Sequence, residues 1–158
     1  MPVKLFLLIA LILTGLLLWL LPKSRFASRF RLGDRAFQTI QVIGIFFGFC
    51  GLIASFIWQE AILASHLYEL LLFPVFLAYM YLLLVYRIHH SEEILDEKQL
   101  HDMALAGGNT FAWSILWAFL LHALYREGIL AGTVFFPLFV FFSLGLFSLN
   151  VLIQYRKN

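Results

Sequence analysis

The sequence predicts an all-α integral membrane protein of about five transmembrane helices, and three observations carry that prediction. Of 158 residues, 63% are hydrophobic and only 13% charged, whereas soluble domains sit near half apolar and a quarter charged. The apolar residues fall into long runs, each near the ~20 residues that a helix rising ~1.5 Å per residue needs to cross a bilayer. The charged residues gather in the short intervals between those runs. Five spans and their connections occupy nearly the whole chain as a single transmembrane domain, 1–158, with no room for a soluble domain of useful size.

The first span is expected over about 3–21, "VKLFLLIALILTGLLLWLL". Lys4 ahead of an apolar core is also how a signal peptide begins, but this core exceeds the usual ~7–15 residues. The following "LPKSRFASRF" offers no small-residue cleavage site, so the segment is read as a retained span. A polar connection, 22–36, leads to the second span at 37–58, and the tight turn "WQEA" to the third at 62–86. The longest polar segment is 87–109, "RIHHSEEILDEKQLHDMALAGGN". Gly107 and Gly108 are expected to break it, with Asn109 or Thr110 capping the fourth span at 110–125. The turn "REG" then opens the fifth span, 129–154.

Orientation follows from Lys and Arg in the short connections, which stay on the inner side. With five spans and the N-terminus outside, Lys23, Arg25, Arg29, Arg31, Arg35, Arg87, Lys98, Arg156 and Lys157 fall inside, and only Lys4 and Arg126 outside. The C-terminus is then inside. Short connections make antiparallel neighbours, so the second and third spans form one tight hairpin and the fourth and fifth another, beside a peripheral first helix. In length and helix content the chain resembles the small membrane glutathione-transferase and leukotriene-synthase superfamily. That family's basic–Asn–Glu pattern on its second helix has no counterpart, since "RLGDRAFQTIQ" offers Gln38 and Gln41 instead. Membership is not assigned.

Lipid supplies no hydrophobic drive between helices, so their packing depends on small side chains and hydrogen bonds. The second span carries Gly44, Gly48, Gly51 and Ser55 on one face, and the fourth carries Ser114 and Ala118 four residues apart. These are expected to serve packing within the chain, with a homodimer seam through Gly44 and Gly48 as the alternative. Pro74 and Pro137 each remove a backbone donor and are expected to kink the third and fifth spans. Cys50, the single cysteine, rules out an intrachain disulfide and a cysteine-cluster metal site. The 18 phenylalanines concentrate in faces suited to lipid, while Trp58, Tyr125 and Tyr155 mark span ends.

Ionisable groups inside a span are costly unless paired or neutral, and each is a functional candidate. His66 and Glu69, in "SHLYEL", are three residues apart and share a helix face. His122 lies at a matching depth in the fourth span. If the third and fourth spans pack together, His66, Glu69 and His122 converge in the outer leaflet, rimmed by Glu60, Arg126 and Glu127. Two imidazoles and a carboxylate would suit a transition metal, His66 and His122 could ligate haem, and a protonated Glu69 could serve quinone or proton transfer. The bland alternative is that the histidines reach headgroups or carbonyls at the interface. In the inner polar segment, His90, Glu93, Glu97 and His101 would fall on one helical stripe, which is more simply a solvated face.

No nucleophile motif, glycine-rich phosphate loop or zinc-protease helix occurs, and the basic residues sit where topology puts them rather than where nucleic acid would need them. The expected function is therefore that of a non-catalytic, multi-pass integral membrane subunit or accessory protein. It would be surrounded by the lipid bilayer and assembled with other membrane subunits or with itself. A redox, metal- or haem-binding membrane protein using His66, Glu69 and His122 is the alternative, and a small transporter or channel the second alternative.

Overall fold

The computed structural model describes residues 33–88 and 97–157, together with 9, 12–16 and 19–20. Most of the first expected span and of the basic connection after it therefore lies outside the described residues, as do His90 and Glu93. The few described positions within 9–20 are helical. Every regular element among the described residues is helical: α1 Asp34–Ile57, α2 Ala61–Ala64, α3 Leu67–Ile88, α4 Glu97–Arg126 and α5 Phe135–Lys157, with a 3₁₀ turn at Gly132–Val134.

Four segments, Asp34–Ile57, Leu67–Tyr86, Gln99–Arg126 and Gly132–Arg156, are long and apolar enough to cross a membrane. By length and composition the chain is a multi-pass membrane protein. Helix α1 contains no proline, opens with Asp34 at the positive end of its dipole, and closes with the Trp58 N–H donating to Ala54 O.

The chain does not run straight into the third span at Ile62. Ser65 ends the short α2 by folding both its N–H and its hydroxyl onto Ala61 O, and His66 takes a left-handed φ of 56°. Only then does α3 begin. At the other hairpin, α4 ends in a Schellman motif: Ile129 N–H reaches Leu124 O and Gly128 N–H reaches Tyr125 O. Gly128 supplies the required positive φ of 74°. The fifth helix consequently starts at Phe135 and not at Ile129. Pro137 falls in its first turn, where a missing N–H costs little, so the expected mid-span kink has no place there. Pro74 does lie inside α3.

Gly107 and Gly108 do not break the chain either. Helix α4 runs unbroken through both, against a propensity penalty of about 1 kcal/mol for each. Packing offsets it: on the turns before them Gln99, Asp102 and Ala106 are buried, spaced to share one face.

Helices α1 and α5 form the centre of the bundle; α3 packs along α1 and α4 along α5. The central crossing is antiparallel and very close. Gly44 faces Ser148, Gly48 faces Gly145, and Gly51 faces the ring of Phe141. A Cβ added to Gly48 would fall 2.6 Å from the Cα of Gly145. Apolar cores close the bundle at both ends. At the Asp34 end Phe37, Ile40, Leu82, Val85, Ala106 and Val151 gather, and at the Trp58 end Ala54, Ile62, Leu121, Leu130, Val134 and Leu138.

Candidate functional site

The polar side chains inside the spans are placed by the central crossing. Because Gly44 has no side chain, Ser148 of α5 can reach across α1 toward α3. There the Tyr79 hydroxyl lies 2.7 Å from Ser148 Oγ and 3.1 Å from Gln41 Oε1. Gln41 is fully buried and its Nε2 has no hydrogen-bond partner among the described residues. Exchanging the amide oxygen and nitrogen, whose assignment is decided by the hydrogen-bond network, gives a consistent chain of donors. Gln41 Nε2 then donates to Tyr79, Tyr79 to Ser148, and Ser148 to Leu144 O at 2.9 Å.

Further pairs tie α4 to α5. Asn150 Nδ2 donates to Thr110 Oγ1 at 3.1 Å, Ser114 and Ser143 hydroxyls meet at 2.8 Å, and the Trp117 indole donates to Leu138 O at 3.3 Å. At the Asp34 end, Gln99 Nε2 donates to Asp34 Oδ1 at 3.2 Å, one turn from the fully buried Asp102. At the opposite end the Gln59 amide joins the two hairpins. It donates to Ile129 O at 3.3 Å and accepts from Ala131 N–H at 3.0 Å.

His66 Nδ1 and Glu69 Oε1 are 3.5 Å apart. Glu69 also sits in the first turn of α3, where the helix dipole favours a carboxylate; its Oε2 is buried and has no hydrogen bond. His122 is exposed on α4. The condition for convergence was that the third and fourth spans pack together, and they do not pack extensively: α3 lies on α1 and α4 on α5. Among the described residues no three His, Cys, Asp or Glu side chains gather to hold a metal ion. Of the expected cluster the structure joins His66 with Glu69 and leaves His122 apart. Glu60, Arg126 and Glu127 are exposed at the same end.

The packing residues sit as follows. Gly44, Gly48 and Gly51 lie against α5, and the buried Ser55 turns its hydroxyl to Gly51 O at 2.7 Å. Ser114 is buried on α4 and Ala118 half-buried. Sequence reasoning missed Gly145 and Ser148, the other half of the crossing. Their three-residue spacing on an otherwise bulky helix, matching the glycine stripe of α1, was the available signal. It also missed Tyr79 and Asn150, each a lone polar side chain in an apolar run.

Comparison with family models, with curated proteins and with solved structures finds no match for the chain.

Proposed function

We propose that this protein is a non-catalytic subunit or accessory component of a larger membrane assembly, with its N-terminus outside and its C-terminus inside. The observation that carries the reading is the uncovered face of α4. Ala104, Gly108 and Ala112 follow one another at intervals of four and are all exposed, with the exposed amide of Asn109 beside them. A Cβ at Gly108 would meet nothing within 4 Å. Small residues in such a row let another helix approach closely, and an amide on an apolar surface finds its partner across that approach.

The interior polar groups fit the same reading. Tyr79, Ser148, Thr110, Asn150, Ser114 and Ser143 are engaged in bonds between helices, which is what a scaffold uses them for. The orientation rests on the charges. Among the described helices Arg35, Arg87, Lys98, Arg156 and Lys157 belong to the Asp34 end and Arg126 to the other, so the Asp34 end is the inner one.

The test is the protein mass of the particle in mild detergent, from light scattering with the detergent subtracted. The expected mass exceeds the 18.3 kDa of one chain, and Gly108→Ile returns it to that value. A wild-type particle that is a stable monomer from the outset overturns the proposal.

A further inference from the structure

At the Trp58 end, where α1 stops and the spans meet the membrane surface, an open cleft of about 470 Å³ is lined by Ile57, Trp58, Gln59, Glu60, Ala61 and Ala131. Three features of it point the same way. The first is the C-terminus of α1. No basic side chain occupies its last turn, and the carbonyl of Ile57, which lines the cleft, accepts no backbone hydrogen bond among the described residues. That end carries roughly half a negative charge, and the Ile57 carbonyl is a free acceptor there.

The second is Glu60, exposed and without an ion-pair partner among the described residues. The third is Trp58, 53% exposed, whose indole face attracts cations more strongly than any other side-chain ring. A carbonyl acceptor, a carboxylate and an aromatic wall all favour a cation. The opposite charges of Arg126 and Glu127, exposed on the neighbouring connection, offset one another.

We infer that this cleft binds a primary ammonium group, of the kind carried by an ethanolamine headgroup. The free Ile57 carbonyl and the Glu60 carboxylate need N–H donors, and a primary ammonium brings three. A trimethylammonium brings none, so it keeps the attraction of the indole and loses the hydrogen bonds. The same ammonium can arrive on a membrane lipid or as a free amine.

The experiment uses the full chain in detergent with an equimolar mixture of phosphatidylethanolamine and phosphatidylcholine of identical acyl chains, counting bound lipids by native mass spectrometry. The expected result is retention of phosphatidylethanolamine about fivefold over phosphatidylcholine, from charge-assisted donors that only one headgroup has. Glu60→Gln brings the ratio to parity. Glu127→Asp, at the same end but outside the cleft, keeps the charge that offsets Arg126 and leaves the ratio unchanged.

Equal retention by the wild type, or a preference that survives Glu60→Gln, overturns the inference. Free ethanolamine that strips the bound lipid supports recognition of the ammonium alone, whereas resistance to it supports a lipid-borne source. The Glu60 side chain makes no hydrogen bond among the described residues, so an unchanged melting temperature shows that Glu60→Gln still folds. The spectrum also reports the protein's own mass, so failure here is distinguishable from failure of the proposed assembly.

Discussion

Gly48 and Gly145 meet backbone to backbone where α1 crosses α5, but the space around them is unequal. A Cβ on Gly48 would sit 2.6 Å from the Gly145 Cα, whereas one on Gly145 would sit 3.4 Å from its nearest neighbour, the Gly48 carbonyl carbon. The first distance is a clash with backbone that has nowhere to move; the second is ordinary contact. Gly48→Ala should therefore destabilise the bundle by about 1–3 kcal/mol, as overpacking does. Gly145→Ala should be neutral or stabilising by up to about 1 kcal/mol, because it gains helix propensity and meets only ordinary contact. Reversible unfolding in mixed micelles of rising denaturing-detergent content measures both, and equal losses would contradict the crossing geometry.

Tyr79→Phe removes one hydroxyl from a buried donor chain without changing the shape of the ring. A loss of about 1–2 kcal/mol is expected, since Ser148 and Gln41 both lose their cross-helix partner. Adding Gln41→Leu should then cost less than it does in the wild-type background, because the amide is already stranded. A double-mutant cycle reads the coupling. Strict additivity would mean that the two side chains do not act together.

His66 is the described non-glycine residue with positive φ. In that conformation a Cβ costs roughly 1 kcal/mol or more, so His66→Gly should be more stable than His66→Ala by about that amount in the same unfolding assay. If Ala proved the better replacement, α2 and α3 would have to join as one continuous helix, contrary to the break at Ser65.

Gln59 reaches the 129–131 connection with both atoms of its amide. Gln59→Leu should leave far-ultraviolet circular dichroism unchanged while increasing amide exchange at Ala131 by at least about fivefold, the equivalent of one lost hydrogen bond of ~1 kcal/mol. Unaltered exchange at Ala131 would indicate that the contact holds nothing in place.

Much of this arrangement was legible in the residues themselves. Apolar runs long enough to span a bilayer mark the four long helices, and the glycine stripe of α1 announces a close approach. The stripe did not name its partner, because small residues say only that something comes near; Gly145 and Ser148 supply the answer through three-dimensional contact. The helix boundaries were missed for specific reasons. Gly107 and Gly108 carry a local penalty that burial of Ala106 and Asp102 outweighs. Pro137 reads as a kink until the Schellman turn at Gly128 moves the start of α5 down the chain. His66, Glu69 and His122 looked alike by depth, but depth along a helix does not say which helices are neighbours. His66 and Glu69 belong to the leading edge of α3, one bending the backbone and the other facing the helix dipole.

The pairing at the bundle's centre has a consequence for biosynthesis. Tyr79 finds Ser148 across 69 residues of sequence, and α1 finds its main neighbour in α5, which leaves the ribosome after α3 and α4. Until that helix is inserted, the glycine face of α1 lies open and Gln41 has no path to Ser148. Early hairpins can form as soon as they are synthesised, yet the bundle's axis is completed only when α5 arrives. A chain truncated before α5 would keep its spans but lack its centre, and cellular quality control would meet it as an unassembled protein.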